Sequence, residues 1–153
     1  MAHNSALMLD DAALMEASLA AAANADIDTP LYATFFAAYP DRRATFINLE
    51  ASGRRMTDET IQMMYGLAAG ENWVWPLIAE LTFTHRNYGA IPHSEYRAFI
   101  TITIDALAGA AGEAWTPATD AAWRKQGDAL FQKIVEAREG WAQAMPGGPM
   151  LAA

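Results

Sequence analysis

The sequence predicts an all-α domain, and three observations carry that prediction. Apolar residues recur at helical spacing in every long segment. The pair Thr29-Pro30 returns as Thr116-Pro117, a cap followed by a proline that is preorganised for a first helical turn. The one stretch that alternates like a strand, Phe99-Ile100-Thr101-Ile102-Thr103-Ile104, lies inside an unbroken helical register of Tyr96, Phe99, Ile100, Thr103, Leu107 and Ala110. A lone two-stranded ribbon with the β-prone Asn72 to Pro76 would be marginal in water, so helix is the expectation there.

Each element has a local cause. Leu7 to Ala25 is rich in alanine and methionine, both strong helix formers. Asp26-Ile27-Asp28 breaks that run, and Thr29 is expected to cap a second helix from Pro30. Leu31, Tyr32, Phe35 and Phe36 then form one apolar stripe. Tyr39-Pro40 turns the chain, because the residue before proline avoids the α region. A short helix from Asp41 to Phe46 is expected next, followed by a loop or ragged helix start over Asn48 to Arg55 with Gly53 as breaker.

Thr57 to Ala69 is helical, with Ile61, Met64, Tyr65 and Ala68 on one face, and Gly70 ends it. Trp73 to Tyr88 tolerates Pro76 near its start. Pro92-His93-Ser94 opens a helix to about Ala111, Gly112 to Trp115 turns, and the last helix runs to about Trp141. The expected organisation is one domain over residues 1–153, with its core at about 7–141 and a loose tail at 142–153.

Composition narrows the function. The chain is 53% hydrophobic, more apolar than a purely solvating protein needs, which is compatible with a lined apolar pocket or with alanine-rich filler. Cysteine is absent, which removes disulfides, thiolate metal sites and thioether-linked cofactors. The net charge of −8 disfavours a nucleic-acid partner. No apolar run reaches the ~20 residues of a membrane span. Without a leader-like N-terminus, a cytoplasmic location is expected.

Conventional catalytic groupings fail. The adjacent acids Asp10-Asp11 and Asp58-Glu59 sit at helix starts, where they suit the dipole. Three scattered histidines do not make a zinc site. What remains is His85, in Leu81-Thr82-Phe83-Thr84-His85-Arg86-Asn87-Tyr88-Gly89-Ala90-Ile91-Pro92. A neutral imidazole in an apolar helical segment is either a structural histidine or an axial ligand for iron. As a ligand it needs an acceptor for its other nitrogen, and the Leu81 carbonyl or the Thr84 hydroxyl is in reach. His93 is the rival, at a helix start where capping or a surface position suits it better.

Four blocks in order give this chain a resemblance. They are Tyr32 to Pro40 continuing to Phe46; Leu81 to Pro92; Tyr96 with Phe99 and Ile100; and Gly112 to Pro117 with Ala122-Trp123. Together they resemble the globin family, in particular bacterial single-domain globins and the globin part of flavohaemoglobins, over roughly Leu31 to Val135. The resemblance implies a globin-like fold of about seven helices around a haem pocket. It implies one b-type haem (iron) ligated by His85, with Leu81 packed beneath the porphyrin and Phe46 on its plane. Ile91 would close the pocket. Phe36, Ile61, Met64, Tyr96 and Ile100 would wall it, and Thr84, Arg86 or Arg54 would meet the propionates.

Tyr32 falls on the position of a distal tyrosine. As a donor to bound oxygen it would contribute about 1.5–3 kcal/mol, or ~10–100-fold in affinity. The alternative is a core tyrosine whose hydroxyl is satisfied by backbone. The stretch from Phe46 to His85 is shorter than usual in the family, which leaves the ligand-facing residue open between Met56 and Ile61, with the amide Gln62 just outside. Gly127 stands where these relatives often carry tyrosine, and Glu136 is off register for a glutamate that some pair with the proximal histidine.

The implied function is reversible binding of oxygen or another diatomic gas. A nitric oxide dioxygenase-type activity would need an external reductase as redox partner, and a homodimer is left open. The competing expectation is a haem-free globin-fold sensor or interaction module. Its pocket would be filled by side chains such as Trp73, Trp75 and the methionines, or by a lipid-like ligand.

Overall fold

The computed structural model describes residues 10–144. Among the described residues it contains six α-helices and three short 3-10 segments, with no strand. The α-helices are α1 (Asp11–Ala21), α2 (Asp28–Ala38), α3 (Leu49–Ala69), α4 (Val74–His85), α5 (His93–Ala111) and α6 (Pro117–Ala144). The 3-10 segments are Pro40–Thr45, Arg86–Tyr88 and Gly112–Ala114. No helix among the described residues is long and apolar enough to cross a membrane.

The all-helical expectation holds, including over Phe99 to Ile104, which lies within α5. The boundaries shift for identifiable reasons. The first helix ends at Ala21 rather than Ala25, and its start at Leu7 and the tail after Ala144 fall outside the described residues. α2 begins at Asp28, and Thr29 is not its cap. The Asp26 carboxylate does that work, accepting from the Thr29 N–H at 3.1 Å and from its hydroxyl at 2.5 Å.

The larger difference is α3. The expected loop over Asn48 to Arg55 is helix, capped by the Asn48 side chain, which accepts from the Ala51 N–H at 3.2 Å. Gly53 breaks nothing there. A Cβ at Gly53 would lie 2.9 Å from Cε2 of the Tyr32 ring, so the glycine lets an aromatic ring press against the helix backbone. Gly70 ends α3 in the left-handed region, with φ of 71°, the ordinary glycine stop.

α6 is the spine and packs against α1, α3, α4 and α5. Its Trp123 is fully buried and donates its indole N–H to the Ser18 hydroxyl of α1 at 2.9 Å. Burying an indole requires such a partner. Leu130 and Ile134 of α6 join Met64, Ile78, Ile104 and Leu107 in the main core. A second cluster, Leu31, Tyr32, Phe35 and Phe99 with Phe36 and Phe46 against it, joins α2 to α5.

α5 and α6 approach closely where Gly127 lies under Ile100 and Ile104. A Cβ there would meet Ile104 Cδ1 at 2.9 Å. A tyrosine at this position would have no room, which accounts for the glycine.

Candidate functional site

His85 is the last residue of α4. Gly89, at φ of 87°, reverses the chain after the Arg86–Tyr88 turn and sends it through Ile91 and Pro92 into α5. Arg138 of α6, only 5% exposed, donates to the Ile91 carbonyl and fixes this return segment from behind.

His85 Nδ1 lies 2.7 Å from the Leu81 carbonyl oxygen. A carbonyl only accepts, so Nδ1 carries the proton in this contact. Nε2 is left with the lone pair in the neutral ring. Burial pushes the His85 imidazole below its ordinary pKa, against the opposing pull of the Leu81 carbonyl and the Glu59 charge. The ring is therefore neutral at pH 7, the form that ligates a metal. The Thr84 hydroxyl also donates to the Leu81 carbonyl, at 3.1 Å, so it supports the same acceptor rather than the ring.

His85 opens onto a cleft of about 450 Å³ between α3, α4, α5 and α6. That volume falls within the ~300–1,000 Å³ of cofactor and ligand sites. The α4 wall is Leu77, Glu80, Leu81, Thr84 and His85, and the facing α3 wall is Ser52, Arg55, Met56, Glu59, Thr60 and Met63. Both are helical stripes at i, i+3, i+4, i+7 and i+8, with the α3 stripe continuing to Met63 at i+11, so each helix turns one face to the cleft. Phe46, Ile91, Tyr96, Phe99, Ile100, Leu130 and Ile134 complete the apolar lining.

Of the residues singled out in the sequence, Phe46, Leu81, Thr84, His85, Ile91, Tyr96 and Ile100 meet at this cleft. The others stand behind it. Ile61 and Met64 lie in the main core, and Phe36 packs edge-on against Phe46 with ring centroids 5.5 Å apart. Tyr32 is 5% exposed, packed among Phe36, Phe46 and Phe99, and its hydroxyl donates to the Gly53 carbonyl at 2.7 Å. Burial pushes its phenol up to about 12. In this arrangement the hydroxyl is satisfied by backbone.

The charged groups at the cleft are not those the resemblance nominated. Arg86 packs over the Phe83 ring, and Arg54 lies 3.9 Å from Asp28. The cleft instead carries Arg42 and Arg55. Arg42 forks onto Glu95 of α5, with Nε and one terminal nitrogen at 2.7 and 3.0 Å from the two carboxylate oxygens. Arg55 holds Glu59, one turn on, at 3.0 Å.

Between Met56 and Ile61, the residues that line the cleft are Met56, Glu59 and Thr60, with Met63 one turn further on. Gln62 is exposed on the outside. Their shared signal was the i, i+3, i+4 spacing, which becomes usable only once the helix is known to begin at Leu49. Trp73 and Trp75 lie at the surface, 43% and 45% exposed, and do not fill the cleft.

No family model, curated protein or solved structure matches the chain.

Proposed function

We propose that this chain is a globin-like protein that holds one b-type haem through His85 and binds a diatomic gas on the α3 side. The observation that carries the reading is the His85–Leu81 contact at the inner wall of an apolar cleft. It fixes one tautomer of a neutral, half-buried imidazole. That is the second-sphere arrangement a metal-ligating histidine requires.

The residues present fit the group. Leu81, Met63, Phe46, Ile91 and Ile100 supply apolar wall on several sides. Arg42 and Arg55 supply cations for the two acid groups. Each guanidinium has five N–H donors, so it can keep its present carboxylate and take a second partner. The long α6 lying across α1, α3, α4 and α5 supports the same globin-like reading.

Haem iron bound there would supply the open coordination position at which oxygen, carbon monoxide or nitric oxide binds. The protein's own part is to orient and exclude. His85 is held by its carbonyl partner, and Tyr96 lies beside it, ring centroids 6.1 Å apart. Beside the Arg55–Glu59 pair and Ser52, the α3 wall offers two thioethers, Met56 and Met63, and a threonine whose hydroxyl already donates to the Met56 carbonyl at 2.7 Å.

The test is an absorbance titration of the purified chain with haemin. A Soret band saturating at one equivalent supports the reading. Absence of that band sinks it.

A further inference from the structure

We propose that Glu59 makes the cleft select uncharged ligands over anions, an inference that rests on the haem reading above. Five charged side chains line the cleft: Arg42, Arg55, Glu59, Glu80 and Glu95. The Arg42–Glu95 fork cancels one of each sign, with both side chains largely covered at 24% and 12% exposure. Arg55, Glu59 and Glu80 remain, so the protein's own side chains leave a balance of one negative charge, before the two acid groups of a haem are added.

Its position decides the effect. Arg55 and Glu59 are paired, but the Arg55 side chain is 74% exposed and that of Glu59 only 29%. The cation leans into solvent, where water screens it, and the carboxylate faces the cleft. Glu80 lines the opposite wall and adds no cation to it.

Glu59 on α3 and His85 on α4 line the same cleft from facing helices. Apart from Glu59 and its outward-leaning partner Arg55, the α3 wall presents Ser52, Met56, Thr60 and Met63, none of which carries a charge. An anion entering between Glu59 and His85 therefore meets a like charge in a poorly screened space. Carbon monoxide and oxygen do not. A single like charge in such a setting shifts an anion's affinity by roughly tenfold.

The experiment uses the full chain loaded with haem, with azide titrated into the ferric form and carbon monoxide into the ferrous form. In Glu59→Gln, the ratio of azide to carbon monoxide affinity should rise about tenfold, and in Glu59→Lys further still. Added salt should tighten azide binding to the wild type more than to Glu59→Gln. Glu50 is exposed and outside the cleft, so Glu50→Gln should leave the ratio in place. An unchanged ratio in Glu59→Gln overturns the inference while leaving the haem reading standing. So does an equal rise in Glu50→Gln, which would make the effect one of overall charge. A wild-type chain that gives no Soret band overturns both.

Discussion

Removing one oxygen atom, in Tyr32→Phe, separates two roles for that residue by two independent readouts. The Tyr32 hydroxyl donates to the Gly53 carbonyl at 2.7 Å in a buried setting. That carbonyl keeps a second donor when the phenol is lost, the Thr57 hydroxyl at 3.0 Å, so no acceptor is orphaned. The expected cost at pH 7 is therefore about 1 kcal/mol, near the middle of the range for a neutral hydrogen bond. For a chain of this length that lowers Tm by roughly 2–4 °C.

The pH dependence adds a sign. Burial pushes the Tyr32 phenol up to about 12, against ~10 in the unfolded chain. The folded state thus keeps a proton that the unfolded state releases. This contribution is complete below about pH 10 and is lost as pH rises toward 12, by ~1.4 kcal/mol at pH 11 and ~2.3 kcal/mol at pH 12. The phenylalanine variant has no such loss. Urea denaturation followed by circular dichroism should find the wild type more stable at pH 7 and the order inverted above about pH 11. With haem bound, the oxygen off-rate of the variant should stay within about twofold of the wild type, since the hydroxyl is committed to backbone. Parallel stability curves from pH 7 to 12, or an off-rate raised about tenfold, would refute this placement of the hydroxyl.

Two packing predictions follow from the α6 spine. Ser18→Ala leaves the buried Trp123 indole N–H without its 2.9 Å acceptor and should cost about 1–3 kcal/mol by denaturant titration; a cost near zero would mean that contact is not made. Gly127→Leu drives a side chain into Ile100 and Ile104, already within 3.1 Å of an added Cβ, and should cost about 1–3 kcal/mol; an unaltered melting temperature would contradict the close α5–α6 crossing.

How far the sequence was legible depends on where each cause lies. The end of α3 and the cap of α6 have local causes, Gly70 and Thr116. Thr116 accepts from the Thr119 N–H at 3.1 Å through its hydroxyl. These were readable. Gly53 is different, because a mid-helix glycine looks like a breaker until the Tyr32 ring against it is known. The misplaced start of α3 then hid the cleft-facing stripe, and with it Arg55 and Glu59. Tyr32 shows the same limit. Its spacing from Phe46 places it in the right aromatic cluster, but only the tertiary arrangement directs its hydroxyl to Gly53 rather than to the cleft. The contact between His85 and the Leu81 carbonyl was legible because that acceptor lies one turn back on the same helix.

The measurement that bears most directly on the central claim is a haemin titration of the wild type beside His85→Ala, followed by reduction under carbon monoxide. His85 is predicted to be the protein ligand of the iron. The wild type should therefore saturate at one haem per chain and give the sharp carbon monoxide spectrum of a histidine-ligated haem. The alanine variant should keep its helical circular dichroism and lose that spectrum. The same spectrum in both proteins, or in neither, would contradict the assignment.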